Sequence, residues 1–324
     1  MTTASVIGAG VAGLTTALEL SRAGFEVTII DRAEGLGPAQ CSWWAGGMLA
    51  PWCERESAEE AVITLGIAAA DWWDAATGGV ERKGTLVLTP ERDRRELARF
   101  ARRTSNFEQI GEDRIAGLEP DLAGRFRDAL FFPNEAHLNP RRAIARLAER
   151  LTHQGVQIQF GSTKAPEADL TYDCRGLAAA DDLSELRGVK GEMLLLRSAE
   201  ITLERPIRLL HPRHPIYIVP RGDGLFMLGA TMIESGDRAR ITARSMLELL
   251  GAAYALHPAF AEAEIVETGV DARPAFPDNL PRVQRLNGRI FVNGLYRHGF
   301  LLAPAMAAKA VKIGRDTVQM EKVS

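Results

Sequence analysis

Apolar and polar positions change period twice within the first thirty residues. Ser5-Val6-Ile7 is a short β-branched run that stops at Gly8-Ala9-Gly10-Val11-Ala12-Gly13. Apolar residues then recur at Leu14, Ala17, Leu18 and Leu20, the spacing of a helix buried on one side. Gly24 ends that helix, and Glu26-Val27-Thr28-Ile29-Ile30 reads as a second strand closing on Asp31. Strand, glycine loop, helix, strand and terminal acid form the β-α-β unit of a dinucleotide site. Gly8 permits the tight turn. Gly10, with Ala12 beside it, lets a pyrophosphate approach the backbone, and Gly13 lets the helix lie close on the strand. The helix N-terminus offers free N–H groups to phosphate, and Asp31 can accept hydrogen bonds from ribose hydroxyls.

The pattern then loosens into a loop holding Cys41-Ser42-Trp43-Trp44-Ala45-Gly46-Gly47-Met48. It predicts a helix over about 58–76, a strand over 85–88 and a charged helix over 91–104. Leu130-Phe131-Phe132 suggests another strand. Asn139 and Pro140 are suited to the N-cap and first position of a helix running to about His153. Strands follow at 156–160 and at 169–176, the latter ending in Gly176. The second half is antiparallel in character, with strands at 192–196, 216–219 and 225–228, and a hairpin loop at Arg221-Gly222-Asp223-Gly224. A helix over 242–256, strand-like segments at 263–270 and 289–293, and a last helix from Pro304 to about Val318 complete the reading. A dinucleotide-binding layer is thus interrupted by a sheet-rich segment, and both chain ends return to the first layer.

Length and composition narrow the function. At about 150 residues per domain, 324 residues suggest two domains or one elaborated one. A net charge of −3 invites neither a nucleic-acid backbone nor an anionic membrane. No apolar run is long enough to span a bilayer. No leader precedes the first strand, and the three cysteines have no metal-ligand spacing, so the cytoplasm is the expected compartment.

The β-α rhythm breaks after Asp31, and no second GxGxxG follows for a nicotinamide cofactor. Asn293-Gly294-Leu295-Tyr296-Arg297-His298-Gly299-Phe300-Leu301-Leu302-Ala303-Pro304 leads from a strand through a glycine loop into a helix N-terminus. Such a terminus stabilises negative charge on a reduced flavin ring. Here the chain resembles the D-amino-acid oxidase family of FAD enzymes, and within it the glycine oxidases of thiamine biosynthesis. The resemblance covers essentially the whole chain. Its carriers are VIGAGVAGLTTALEL, SWWAGGMLAP, RGVKGEMLLL, YIVPR, LGATM, GVDARPAFPDNLP and GLYRHGFLLAPA.

The resemblance implies an α/β fold: a Rossmann-type FAD domain (1–80, 140–185, 280–324) interleaved with an antiparallel-sheet substrate domain (81–139, 186–279). It implies oxidation of glycine or a similar small amino acid by hydride transfer to flavin, giving imine or 2-oxo acid, ammonia and hydrogen peroxide. Arg273 would bind the substrate carboxylate, an arginine being able to grip it with two parallel bonds. Tyr217 would bond the same group, Arg297 would close the pocket and Met232 would line it. Gly46, Gly47 and Met48 would run beside the flavin ring. His298, Gly299, Phe300 and Leu301 would offer backbone N–H groups to its pyrimidine edge. Ser42 would reach the pyrophosphate, and Arg32 and Gly176 would complete the cofactor site. The family's main-chain adenine contact, usually a valine, falls within Gly161–Leu170, where no valine stands. Trp43 and Trp44 replace small residues and would either narrow the pocket or pack between domains. Molecular oxygen, a thiazole synthase and further copies of the chain are the implied partners. A D-amino-acid or sarcosine-type dehydrogenase with another electron acceptor is the competing reading.

Overall fold

Two sheets, each with its own buried core, organise the chain in the computed structural model, which describes residues 1–211 and 215–321. The first runs in the order Arg282–Leu286, Arg289–Asn293, Leu170–Asp173, Thr3–Ile7, Glu26–Ile30, Gln157–Gln159. Its neighbours pair in parallel except at the Arg282–Leu286 edge. Parallel strands covered by helices are apolar on both faces, and Val6, Ile29 and Ile30 are fully buried. The helix Val11–Arg22 follows the first strand and packs against Pro140–His153 and the C-terminal helix Gly299–Glu321. Asn139 caps Pro140–His153 as expected, accepting the N–H groups of Arg141 and Arg142 at 3.1 and 3.3 Å.

The second sheet runs Ile233–Glu234, Arg187–Arg197, Leu225–Gly229, Ile216–Gly222, Ile207–Leu209, Thr85–Leu88, Asp128–Phe132, Glu108–Gly111. Glu264–Ala275 lies on the other side of Arg187–Arg197. Only the pair Ile207–Leu209 and Thr85–Leu88 is parallel. Period two assigns its faces. Leu194, Leu196, Ile218 and Leu228 join the core that includes Leu249 and Leu256 of the helix Ala243–Leu256. Met193, Leu195, Val219 and Met227 pack on the opposite face with Trp44 and Tyr217.

Two helices differ from the sequence pattern. The run expected over 58–76 is two helices, Glu60–Gly66 and Ala69–Thr77. The break falls at Gly66, where the chain passes so close to the C-terminal helix that a Cβ would sit 2.7 Å from Leu301 Cγ. The last helix begins at Gly299, not Pro304, so Pro304 lies inside it. Proline has no N–H to return to the carbonyl four residues back. That carbonyl belongs to Phe300, and the Trp73 indole N–H donates to it at 2.7 Å. Trp73 is fully buried, so the second half of the broken helical run supplies the bond that Pro304 cannot. Trp73→Phe should lower stability by about 1–3 kcal/mol, the range for leaving a buried acceptor unpaired. Denaturant titration measures it, and an unchanged midpoint would refute the substitution of donors.

Candidate functional site

A large cavity of about 1080 Å³ lies where the two sheets meet. Drug-sized ligands occupy roughly 300–1,000 Å³, so this one suits a larger molecule. Gly8, Gly10, Ala12, Asp31, Arg32, Ser42 and Gly176 line it, as do Gly46, Gly47 and Met48. His298, Gly299, Phe300 and Leu301 line it too, as do Tyr217, Met232, Arg273 and Arg297. Of the residues singled out in the sequence, Gly13 and Trp43 do not, and Gly13 has a different task. Its Cβ would fall 1.8 Å from the Gly8 carbonyl oxygen, so it serves the helix–strand crossing.

The glycine loop separates two needs. Gly8 has φ +106°, and a Cβ there would meet the Cys174 carbonyl at 2.7 Å; the chain's own path requires glycine. A Cβ at Gly10 would meet only Ser42 Oγ, at 3.4 Å. Nothing in the polypeptide demands glycine at that position, which leaves open backbone facing the cavity. Ser42 Oγ accepts the Val11 N–H at 3.0 Å and keeps its own proton to donate. Asp31 accepts the N–H groups of Ala9 at 2.6 Å and Ala33 at 2.8 Å, one on each oxygen, so each oxygen retains a lone pair. Ser162 and Thr163 line the same cavity. The Ser162 N–H donates to the Asp31 carbonyl at 3.0 Å, which zips the segment without a valine onto the end of the second strand. The first turn of the C-terminal helix, Gly299–Leu301, supplies a second helix N-terminus on the wall. Open backbone at Gly10, two helix N-termini and an acid beside the first fit a dinucleotide of the size of FAD.

The Gly46–Gly47 loop is fixed from behind. Arg221, at the end of the strand Ile216–Gly222, donates to the carbonyls of Leu138, Ala45 and Gly46 at 3.0, 3.1 and 2.8 Å. Gly47 has φ +73°, and a Cβ there would strike the Leu138 carbonyl at 2.2 Å. The Tyr217 ring lies between two glycines: Cβ atoms at Gly46 and Gly229 would stand 2.9 and 3.1 Å from its Cε2. Trp44 both lines the cavity and packs between elements. Its ring covers Gly269, and Arg141 stacks over Trp43 and Trp44 at 4.6 and 5.3 Å.

Arg273 comes from the long strand Glu264–Ala275, in register with Val189. A Cβ at Gly191 on the neighbouring strand would sit 2.2 Å from its guanidinium, so that glycine makes room for the side chain. Arg273 donates to the Thr231 carbonyl at 3.1 Å. Thr231 is in turn held by the buried Glu192, whose carboxylate accepts the Thr231 hydroxyl at 3.1 Å. Among the described residues, Arg273 has no carboxylate partner. Met232 is 52 % exposed, at the mouth rather than in the core, beside the Tyr296 hydroxyl at 3.5 Å and the Arg297 guanidinium at 3.7 Å.

Sequence reasoning missed the carboxylate on which this wall converges. Glu54 Oε2 lies 3.0 Å from Arg297 Nε and 2.8 Å from His298 Nε2, and Glu54 Oε1 pairs with Arg208. Burial would raise Glu54, but Arg297, Arg208 and His298 hold it well below the usual carboxylate range. Burial lowers His298 against the pull of Glu54, and its Nε2 also lies 3.2 Å from Arg297 Nε. Nothing in the spacing of Trp52-Cys53-Glu54-Arg55 distinguishes this acid from a surface one. Arg208 sits on a strand of three residues, too short for any alternation to show.

A second buried acid stands behind Arg208. Glu135 Oε1 accepts the Cys53 N–H at 2.7 Å, and Oε2 has no hydrogen-bond partner among the described residues. Burial, only partly offset by Arg208, raises Glu135 from 4.5 to about 7. The folded protein therefore holds this proton where the unfolded chain has released it, and stability falls as pH rises from about 4.5 through 7. Glu135→Gln should flatten that descent in denaturant titrations across this range. An unchanged slope would mean that Glu135 is ionised in the fold.

Comparison with known proteins gives the family and agrees with the fold. A thiamine biosynthesis oxidoreductase of Rhizobium etli, ThiO, is 59% identical over 310 residues, covering 95% of this chain and 94% of that protein. The glycine oxidase of Pseudomonas aeruginosa is 27% identical over 342 residues, covering 93% of this chain and 91% of that one. The solved glycine oxidase of Bacillus cereus shares the fold with a TM-score of 0.82 at 22% identity, over 98% of this chain and 96% of that one. Residues 4–313 match the FAD dependent oxidoreductase family, DAO. With that match over nearly its whole length, the chain belongs to the DAO family of FAD-dependent oxidoreductases.

Proposed function

We propose that this protein oxidises glycine or a similarly small amino acid, with oxygen as the final acceptor, in the supply of the thiazole part of thiamine. The observation that carries the reading is Arg273: a guanidinium without a carboxylate partner, aimed into the cavity beside Tyr217. A half-buried cation with no carboxylate bonded to it favours an anionic ligand, and an amino acid brings one. The Tyr217 hydroxyl makes no bond among the described residues and is free to donate to the same carboxylate. The thiamine-related and glycine-oxidising relatives support the substrate class and a thiazole synthase as consumer of the product. The absence of disulfides among Cys41, Cys53 and Cys174 suits a reducing cytoplasm.

The chemistry balances simply. The amino acid loses two electrons and two hydrogens to become an imine, and water converts the imine to 2-oxo acid and ammonia. FAD, when bound, supplies the acceptor for those electrons and passes them to oxygen, which leaves as hydrogen peroxide. Gly10, Ala12, Ser42, Asp31, Arg32 and Gly176 would hold its dinucleotide part, and the Gly46–Met48 loop and the 298–301 turn would hold its ring. The chain's own task is to fix the α-carbon. Arg273 and Tyr217 anchor the carboxylate from one sheet, while Met232 and Arg297 close the mouth. The segments 1–80, 140–185 and 280–324 then form the cofactor unit and the rest the substrate unit.

Arg273→Ala should weaken carboxylate binding by about 2–4 kcal/mol, the range for losing a charged bidentate contact, with FAD still bound. Steady-state kinetics with glycine and a peroxide assay read this as a raised KM; unchanged kinetics would sink the assignment. Gly10→Val should fold, because only Ser42 Oγ stands near its Cβ, and yet purify without flavin. A yellow, fully loaded variant would refute the placement of the pyrophosphate.

A further inference from the structure

The charges around the substrate end of the cavity are already paired, with one exception. Arg238 bonds Asp271 at 2.7 Å, and Arg175 bonds Asp173 at 2.8 Å. Arg297 is ion-paired with Glu54, its Nε 3.0 Å from Oε2, and donates to His298 Nε2 at 3.2 Å and to Ser57 Oγ at 2.6 Å. Arg208 takes the other oxygen of the same Glu54. Arg273 alone lacks a carboxylate among the described arginines there; Arg32 is exposed and belongs to the dinucleotide loop beside Asp31.

We propose that Glu54 makes this a one-carboxylate site: by engaging Arg297 it leaves Arg273 as the single free cation, and amino acids with a second carboxylate are turned away. The physical basis is twofold. The charge of Arg297 is already offset by Glu54, and one of its Nη2 donors is engaged by Ser57, so a second carboxylate meets a neutralised guanidinium there and gains little. It also approaches the buried negative charge of Glu54 directly behind the guanidinium, where screening by water is weak. Selectivity then comes from a repulsive element set beside an attractive one. The sequence that encodes it is local on one side and distant on the other: Glu54 ends the short helix Pro51–Glu54, and Arg297 opens the turn before the last helix.

This inference rests on Arg273 as the carboxylate ligand, and its test separates the two. Acetate and malonate bind without turnover and are titrated into the FAD-loaded protein, with the visible flavin spectrum as readout. Wild type should bind acetate at least as tightly as malonate and oxidise glycine at least tenfold more efficiently than iminodiacetate. Glu54→Gln should bind malonate about tenfold or more tighter than wild type, with acetate affinity changed far less. Wild type that prefers malonate, or a loaded Glu54→Gln with no gain for malonate, overturns the proposal. Should Glu54→Gln not fold, the wild-type comparison decides alone. If Arg273→Ala binds acetate as wild type does, the reading of Arg273 fails instead.

Discussion

Glu54 is the junction on which the rest of the arrangement depends. One buried carboxylate receives Arg208 from the second sheet, Arg297 from the loop after the first sheet, and His298 at the entrance to the last helix. Two segments far apart in sequence, one with Arg208 and one with Arg297 and His298, therefore meet on the two oxygen atoms of a third. Burying an ion pair gains little net free energy, but removing one partner from it costs roughly 3–5 kcal/mol. The cluster thus acts less as a source of stability than as a penalty on every arrangement in which the sheets shift. A cavity built between two sheets needs such a constraint, since its walls belong to separate hydrophobic cores.

The same logic recurs on the opposite wall with backbone acceptors in place of a carboxylate. Arg221 is half-buried and has three carbonyls for partners; loss of solvent lowers it to about 10, still charged at neutral pH. It draws the Ala45 and Gly46 carbonyls to one side of the loop. In a planar trans peptide the N–H opposes the C=O, so the amides of Gly46 and Gly47 point the other way. Tyr217 then rests against Gly46, which lets one strand supply both the arginine that orients the loop and the tyrosine that faces the cavity. Period two places Tyr217 and Val219 on one face, and the register shift between Pro220 and Gly222 falls at Arg221, whose guanidinium reaches the same loop.

Much of this was legible in the sequence where one local rule decided it. The first β-α-β unit, the Asn139 cap and the strands of the second half follow from periodicity and caps, and the resemblance brought Tyr217, Arg273 and Arg297 to the cavity wall. What could not be read was set by long-range contact. The helix over 58–76 breaks just after Gly66, where the chain lies against Leu301, and the last helix absorbs Pro304 because Trp73, over two hundred residues earlier, replaces the missing donor. Glu54, Glu192 and Arg208 share this character. Each is a charged residue in an unremarkable local sequence, and only the fold shows that its partner lies on another element.

The glycines carry the last distinction between what the chain needs and what a ligand needs. Gly8, Gly13 and Gly47 are fixed by the polypeptide itself, since a Cβ at each would strike a carbonyl within 2.7 Å. Gly191 is fixed by a side chain, the guanidinium of Arg273. Gly10 is fixed by neither. An unfilled requirement for glycine on a cavity wall, beside a helix N-terminus, has its physical explanation outside the polypeptide, in a group that approaches the backbone more closely than any side chain would allow. The dinucleotide loop is therefore defined as much by the one glycine that the fold does not explain as by the two that it does.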